Sequence, residues 1–142
     1  MLKSIRHIDY VVLLCRDLAV MKDFYTNIMG FTIELDTGSW VEMRVGSTRL
    51  TLAQRGRPFE GPPVPSGAAC VQLAFRVTPQ EVHSCFDELK AKRVEIIEPP
   101  TDKDMSYWQH RTLFFKDPEG NILEIYADIE LSPDGQRGKE AP

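Results

Sequence analysis

The sequence has few of the residues that form the commonest metal and disulfide sites. It contains 3 histidines and 3 cysteines in 142 residues. Cys15, Cys70 and Cys85 are odd in number and show no CxxC spacing, which argues against a disulfide framework or a structural zinc site. We therefore expect three small core residues in a reducing compartment.

Long apolar runs and blocks of positive charge are also missing. No run approaches the roughly 20 apolar residues that span a bilayer, and residues 1–6 lack the apolar core of a signal peptide. The 17 basic and 21 acidic residues give a net charge of −4 and form no basic stripe. We expect no membrane or nucleic-acid partner and a cytoplasmic location. The 42% hydrophobic content predicts one globular domain, residues 1–142.

The first half of the chain, residues 5–54, predicts a βαβββ module. A run of aliphatic and β-branched residues at 10–15 predicts a strand, and Asp17 can cap the helix that follows. Apolar residues at helical spacing predict that this helix covers residues 18–28. Three short strands are then predicted at residues 31–35, 40–45 and 49–53.

The second half, residues 70–127, predicts the same order after a Gly- and Pro-rich linker at 55–69. Thr78 and Glu81 form a capping box that opens the second helix. Strands are predicted at residues 71–77, 94–97, 112–115 and 122–126, a long polar loop at 99–109, and a flexible tail at 128–142. We expect an α+β fold in which the two βαβββ modules pair about a pseudo-twofold axis.

The register of the repeat places four residues at equivalent positions. An offset of 62 residues relates Tyr10 to Gln72, and a larger offset relates Thr51 to Glu124. Because side chains alternate along a strand, all four are predicted on the strand face that does not cover the helices. That face mixes small, aromatic and hydrogen-bonding groups, as a concave small-molecule pocket does.

Glu124 is the most informative of these residues because a tight turn precedes it. Pro118, Gly120 and Asn121 favour a hairpin turn between residues 114–115 and 122–123. The alternation that follows places Glu124 opposite in direction to Leu123 on the strand. Taken alone, this carboxylate fits a solvated strand face; beside the other three residues, it fits a cup.

With these motifs the sequence resembles the vicinal oxygen chelate superfamily, which includes glyoxalase I, extradiol dioxygenases, fosfomycin-resistance enzymes and bleomycin-resistance proteins. The resemblance covers about residues 5–127. It implies paired βαβββ modules forming curled, barrel-like mixed sheets with helices outside, commonly in homodimers. Its markers are Ile8-Asp9-Tyr10-Val11, Asp17-Leu18, Phe24-Tyr25, Met29-Gly30-Phe31, Gln72-Leu73-Ala74-Phe75, and Phe115 to Asn121 followed by Glu124.

The resemblance also implies a divalent metal, since metalloenzymes of this family place ligands at the four equivalent positions. Glu124 matches the family carboxylate, but Tyr10 and Gln72 stand where histidines are common, and Thr51 stands where glyoxalases have Glu. Only Glu124 is then a strong donor, and Gln72 could add a carbonyl oxygen. Both are weak candidates, so no confident cofactor is predicted.

Aromatic and imidazole side chains complete the candidate ligand-binding set. Tyr126 is predicted on the cup-facing side of its strand, and Trp40 is either a pocket wall or a partly exposed strand residue. Trp108 and His110 lie at the end of the predicted loop, either as part of a lid or pocket wall or as aromatic packing that anchors the loop.

Two classes of function follow. The first is a metal-free protein of the bleomycin-resistance type that binds an aromatic or cationic small molecule, with Glu124 attracting the cation and Gln72 and Thr51 fixing its orientation. The second is a lyase, isomerase or dioxygenase of the glyoxalase type, with Glu124 as a metal ligand or general base. We favour the first and leave enzymatic activity open.

Overall fold

Each half of the chain folds as one βαβββ module. The protein is described by a computed structural model at residues 1–65, 67–105, 108–131 and 137–140, and it divides into two units, Met1–Pro65 and Ser66–Pro142. The first unit contains β1 (Tyr10–Cys15), α1 (Leu18–Asp23), β2 (Thr32–Asp36), β3 (Trp40–Val45) and β4 (Thr48–Gln54). The second contains β5 (Gln72–Arg76), α2 (Pro79–Ala91), β6 (Ile96–Met105), β7 (Trp108–Lys116), β8 (Ile122–Leu131) and β9 (Arg137–Glu140).

Both sheets are mixed and have the same strand order. In the first unit the order is β1-β4-β3-β2, and in the second it is β5-β8-β7-β6, with β9 added beside β8. The first strand of each module runs parallel to its last, while the remaining pairs are antiparallel. Neither sheet closes on itself over the described ranges. The predicted α+β class and glyoxalase-like modules are confirmed.

The register of the two sheets confirms the predicted repeat. Val12 pairs with Thr51 in the first unit, and Ala74 pairs with Glu124 in the second. Thr51 and Glu124 therefore occupy the same place in their modules. That the two modules form one domain stays a prediction.

The helices begin at the predicted caps. Asp17 Oδ1 accepts a hydrogen bond from the Val20 amide at 3.2 Å, and Glu81 Oε2 accepts one from the Thr78 amide at 2.8 Å. After α1 the helix continues as a π-helical segment, Phe24–Ile28, so the predicted helix at 18–28 is present with a wider last turn. The linker contains one 3₁₀ turn, Pro58–Glu60.

The helix-facing side of each sheet forms the core of its unit. In the first unit α1 packs against β4, and in the second α2 packs against β6, β7 and β8. Fully or nearly fully buried side chains include Leu13, Met21, Tyr25, Met43 and Leu52 in one unit and Val82, Leu89, Leu113, Phe115 and Leu123 in the other. Among the described residues, no helix is both long and apolar enough to cross a membrane.

The predicted loop at 99–109 is wrong over most of its length. β6 continues to Met105 and pairs antiparallel with β7, which begins at Trp108. Residues 106 and 107 of the predicted loop lie outside the described residues. Register shifts between Ile96 and Thr101 accommodate the two prolines there. β8 likewise continues to Leu131 and pairs with β9, so part of the predicted flexible tail forms strands.

Candidate functional site

A hydrogen-bonded turn fixes the start of β8 and hence the direction of Glu124. Asp117 is 5% exposed, and its Oδ1 accepts hydrogen bonds from the amides of Glu119 and Asn121 at 2.9 and 3.1 Å. Its Oδ2 accepts a third from Asn121 Nδ2 at 2.8 Å. A side chain that bonds its own following backbone closes a turn without a strand partner. The register of the strand is thus set before Ile122.

Gln72 and Glu124, both predicted site residues, are in contact in the second unit. Gln72 Nε2 donates to Glu124 Oε2 at 3.4 Å. The register places Glu124 between Ala74 and Phe114 on neighbouring strands, and its side chain is half-buried. The result is a single carboxylate oriented by one amide among small and aromatic neighbours.

Tyr126 lies on the same face as Glu124 but contacts a different group. Arg76 Nε donates to the Tyr126 hydroxyl at 3.3 Å, and its carbon Cζ lies 5.1 Å from the centre of the Tyr126 ring. Arg76 also pairs with Asp128 at 2.7 Å. These bonds, the one to Tyr126 first, hold the pKa of Arg76 above its usual range. Tyr126 is therefore one part of a cation site already occupied by Arg76.

His110 and Trp108 lie in β7 rather than in a loop. His110 is half-buried and pairs in register with Lys103 and Asp128, four paired rows along the sheet from Glu124. The backbone of Trp108 pairs with Met105, and the side chain of Trp108 lies outside the described part of the chain. The interpretation of His110 as part of a loop lid is wrong because His110 lies within strand β7.

Tyr10 and Trp40 form an aromatic pair in the first unit. Their rings meet edge to face, with centroids 6.3 Å apart at 79°. Trp40 Nε1 donates to Glu42 Oε1 at 3.1 Å, and Tyr10 is 46% exposed. This surface thus combines two aromatic rings with a carboxylate, Glu42, that the sequence prediction did not select.

Thr51 is fully buried, and its hydroxyl has no hydrogen-bond partner among the described residues. It pairs with Val12 on one side and Glu42 on the other. In the corresponding row of the second unit, Glu124 takes the place of Thr51, and Phe114 takes the place of Glu42. The acidic residue of this row therefore lies on β3 in the first module and on β8, the last strand, in the second.

Arg57, in the predicted linker, lies against the aromatic surface of the first unit. Its Cζ is 5.9 Å from the centre of the Trp40 ring and 5.0 Å from that of Phe59. Arg57 Nε donates to Glu60 Oε1 at 3.0 Å, and Glu60 Oε2 accepts from the amides of Gly56 and Arg57. Its bond from the Arg57 side chain, followed by these backbone bonds, holds the pKa of Glu60 below its usual range.

The sequence matches the family model for the Glyoxalase/Bleomycin resistance protein/Dioxygenase superfamily over residues 7–125. The chain belongs to this superfamily. Protein YaeR of Escherichia coli is 27% identical over 130 residues, covering 87% of this chain and 97% of that protein. Virulence protein STM3117 of Salmonella typhimurium is 25% identical over 124 residues, covering 85% and 83%.

Solved structures of the superfamily agree with the fold. The crystal structure of a glyoxalase/bleomycin resistance protein/dioxygenase from Nocardioides superposes with a TM-score of 0.73 at 26% identity, covering 94% of this chain and 91% of that one. The structure of virulence protein STM3117 superposes with a TM-score of 0.68 at 22% identity, covering 86% and 96%. The second comparison bears on the fold alone.

The divalent metal that superfamily members often bind does not fit the donors present here. Across the described ranges, no group of three or more His, Cys, Asp or Glu residues is placed to hold a metal ion. Glu124 has Ala74, Phe114 and the Gln72 amide as its neighbours. A transition ion needs several deprotonated or imidazole ligands, and one carboxylate with one amide oxygen is too few.

Proposed function

We propose that this superfamily member binds a small organic ligand through Glu124 and does not hold a catalytic metal tightly. The hydrogen bond from Gln72 to Glu124 at 3.4 Å is the observation that carries the proposal. An amide that donates to one oxygen orients the carboxylate and leaves its other lone pairs for a ligand. Its neighbours in register, Ala74 and Phe114, are small and aromatic residues that can supply apolar contact to such a ligand.

The aromatic pair of the first unit supports a ligand that is aromatic or cationic. Tyr10 and Trp40 present ring surfaces, and Glu42 adds negative charge beside the Trp40 indole. Both groups attract an organic cation, one through the ring quadrupole and one through its charge. We propose Tyr10 and Trp40 as ligand contacts, and Thr51 as a hydroxyl that a ligand group satisfies.

Tyr126, His110 and Trp108 remain proposed ligand contacts of secondary importance. The Tyr126 ring already has Arg76 against it. His110 and Trp108 lie on β7, the strand that places Phe114 beside Glu124. In the alternative function, a metal-dependent lyase, isomerase or dioxygenase, Glu124 would be a metal ligand or general base. The experiment below separates the two.

We further propose that the protein acts as a homodimer in the cytoplasm. All three cysteines are free thiols, which suits a reducing compartment. The expectation of three core residues holds for Cys15 and is wrong for Cys70, which is exposed. Superfamily members often dimerise. Light scattering after size-exclusion chromatography tests the dimer: a mass of twice 16.2 kDa is expected, and a mass of one chain at micromolar concentration would overturn it.

The function is tested with protein purified without added metal. Elemental analysis is expected to show far less than one metal per chain, and stoichiometric zinc, iron, nickel or manganese would overturn the proposal. Benzamidinium, as an aromatic cation, is expected to raise the melting temperature, whereas neutral benzamide is expected to raise it less, since only the cation gains from Glu124.

Glu124→Gln keeps the side-chain shape and removes the charge, so it should weaken benzamidinium binding about tenfold, or about 1.4 kcal/mol. Glu88→Gln is the matched control, because Glu88 lies on α2 with its side chain 62% exposed and pairs with Lys92. Equal loss in both variants, or none in Glu124→Gln, would remove Glu124 from the site.

A further inference from the structure

The guanidinium of Arg57 is held in a cage of two aromatic rings and a carboxylate. We define the Arg57 cage as Trp40, Phe59 and Glu60. The two ring centres lie 5.9 and 5.0 Å from Arg57 Cζ, within the distance at which a cation is attracted to a ring face. The Glu60 side chain is 3% exposed and bonds Arg57 Nε at 3.0 Å. The chain itself thus shows that this surface accepts a planar cation.

Residues behind the cage strengthen its attraction for positive charge. Glu42 accepts the Trp40 indole N–H at 3.1 Å, and the Tyr10 ring packs edge to face on Trp40. Glu60 is therefore the carboxylate that bonds the guanidinium, while Glu42 bonds the indole of the ring on which the guanidinium lies. Removal of that guanidinium would leave the cage with unbalanced negative charge, which any organic cation of similar shape could neutralise.

The contacts of Arg57 with the cage are weak enough to be exchanged. Its side chain is 43% exposed, and Phe59 is 79% exposed. Exposed cation–ring and ion-pair contacts each change an equilibrium by about tenfold or less. An external cation can therefore compete with Arg57 without unfolding the unit.

The turn that carries Arg57 does not depend on the Arg57 side chain. Glu60 Oε2 accepts hydrogen bonds from the backbone amides of Gly56 and Arg57, at 3.2 and 3.3 Å. These bonds involve main-chain donors, so a substitution at position 57 leaves them in place. Glu60 would then keep its position while its Oε1 lost its partner.

We infer that the Arg57 cage is a binding site for small guanidinium or amidinium cations, and that Arg57 is an internal competitor that occupies it when no ligand is present. The inference goes beyond the proposed function: the cage lies within the first unit, shares only Trp40 with the proposed ligand contacts, and does not require Glu124. The apparent affinity of such a cation is reduced by the fraction of molecules in which Arg57 fills the cage.

The test measures binding of methylguanidinium against neutral methylurea, at constant ionic strength, through the NMR signal of the Trp40 indole N–H. Loss of this signal in Trp40→Phe assigns it. Arg57→Ala is expected to bind methylguanidinium about tenfold more tightly than the unaltered protein. Arg57→Lys should fall between them, because an ammonium keeps the charge but not the planar group. Methylurea should not shift the signal in the unaltered protein or in either Arg57 variant.

Equal affinity in the unaltered protein and Arg57→Ala would overturn the competition, and equal response to methylurea would overturn the cation site. If Arg57→Ala fails to fold, the same comparison with Arg57→Lys decides. Glu60→Gln in the Arg57→Ala background should reverse the gain. Glu124→Gln in that background should leave the methylguanidinium titration of the Trp40 signal unchanged, so this inference and the Glu124 site can fail separately.

Discussion

The backbone oxygen of Gly67 lies 2.6 Å from the point where a Cβ on Gly120 would stand. Gly120 has φ of +90° and ends the turn that Asp117 closes. Two backbone segments thus approach so closely that only glycine fits at this position, and the approach lies directly before β8. The turn is held in place from outside as well as by its own hydrogen bonds.

Gly120→Ala is expected to destabilise the protein by about 3 kcal/mol, because it adds a clash with backbone to the strain of positive φ. Gly38→Ala is the matched control: Gly38 has φ of +93° and nothing within 4 Å of its Cβ position. Its cost should be about 1 kcal/mol. Urea unfolding measures both, and equal costs would show that the contact with Gly67 yields.

Thr51→Val is expected to stabilise the protein by about 1 kcal/mol, since it removes a buried hydroxyl that has no partner in the described part of the chain and keeps the side-chain shape. Thr26→Val is the control, because Thr26 Oγ1 donates to the Lys22 carbonyl at 2.7 Å. That variant should lose stability in the same unfolding assay. A loss at Thr51 as large as at Thr26 would mean that the Thr51 hydroxyl is bonded in solution.

The contribution of Glu60 to stability should depend on pH. Its pKa is lowered in the folded protein by its bond from Arg57 and by the amides of Gly56 and Arg57. A carboxyl with a lowered folded pKa stabilises above its unfolded pKa, near 4.5, and loses that contribution as pH falls through the folded value.

The measurement is the difference in free energy of unfolding between the unaltered protein and Glu60→Gln. It should be largest above about pH 5 and shrink as pH falls below the unfolded pKa. A difference that does not change from pH 7 to pH 3 would show that these bonds do not lower the pKa of Glu60 in the folded protein.

Arg111→Ala is expected to cost about 2 kcal/mol, because Arg111 makes a partly buried ion pair and bonds the start of α2. Its Nε lies 2.7 Å from Asp102 Oδ1, and its Nη1 donates to the Pro79 carbonyl at 3.1 Å. Lys92→Ala is the control, since Lys92 forms an exposed pair with Glu88 one helical turn away. That change should cost about 0.5 kcal/mol or less in thermal unfolding. Similar costs would contradict the role of Arg111.

Local sequence signals predicted the elements that depend on local causes. β1 was predicted at its observed bounds, Tyr10–Cys15, because its aliphatic run ends at a helix cap. α2 begins at the predicted capping box. β6 was missed beyond residue 97 because its polar and proline-containing part has no alternating apolar pattern, and pairing with β7 alone makes it a strand.

The candidate site was predictable only where strand register decides it. The equivalence of Thr51 and Glu124 followed from the repeat, and the contact between Gln72 and Glu124 agrees with that placement. The position of Arg57 over Trp40 was not predictable, because residues 55–69 have no periodicity and the contact depends on side-chain conformation. Glu42 could have been selected, because it lies two residues after Trp40 and therefore on the same face of the strand.

The parallel pairing of first and last strands has a consequence for the order of folding. Tyr10 pairs with Arg49, and Gln72 pairs with Ile122, so each pairing must close a long loop of chain. The antiparallel hairpins close much shorter loops and should form first. Each module is therefore expected to complete itself by docking its opening strand last. Pulse-labelled hydrogen exchange during refolding should show late protection in β1 and β5, and early protection there would contradict this order.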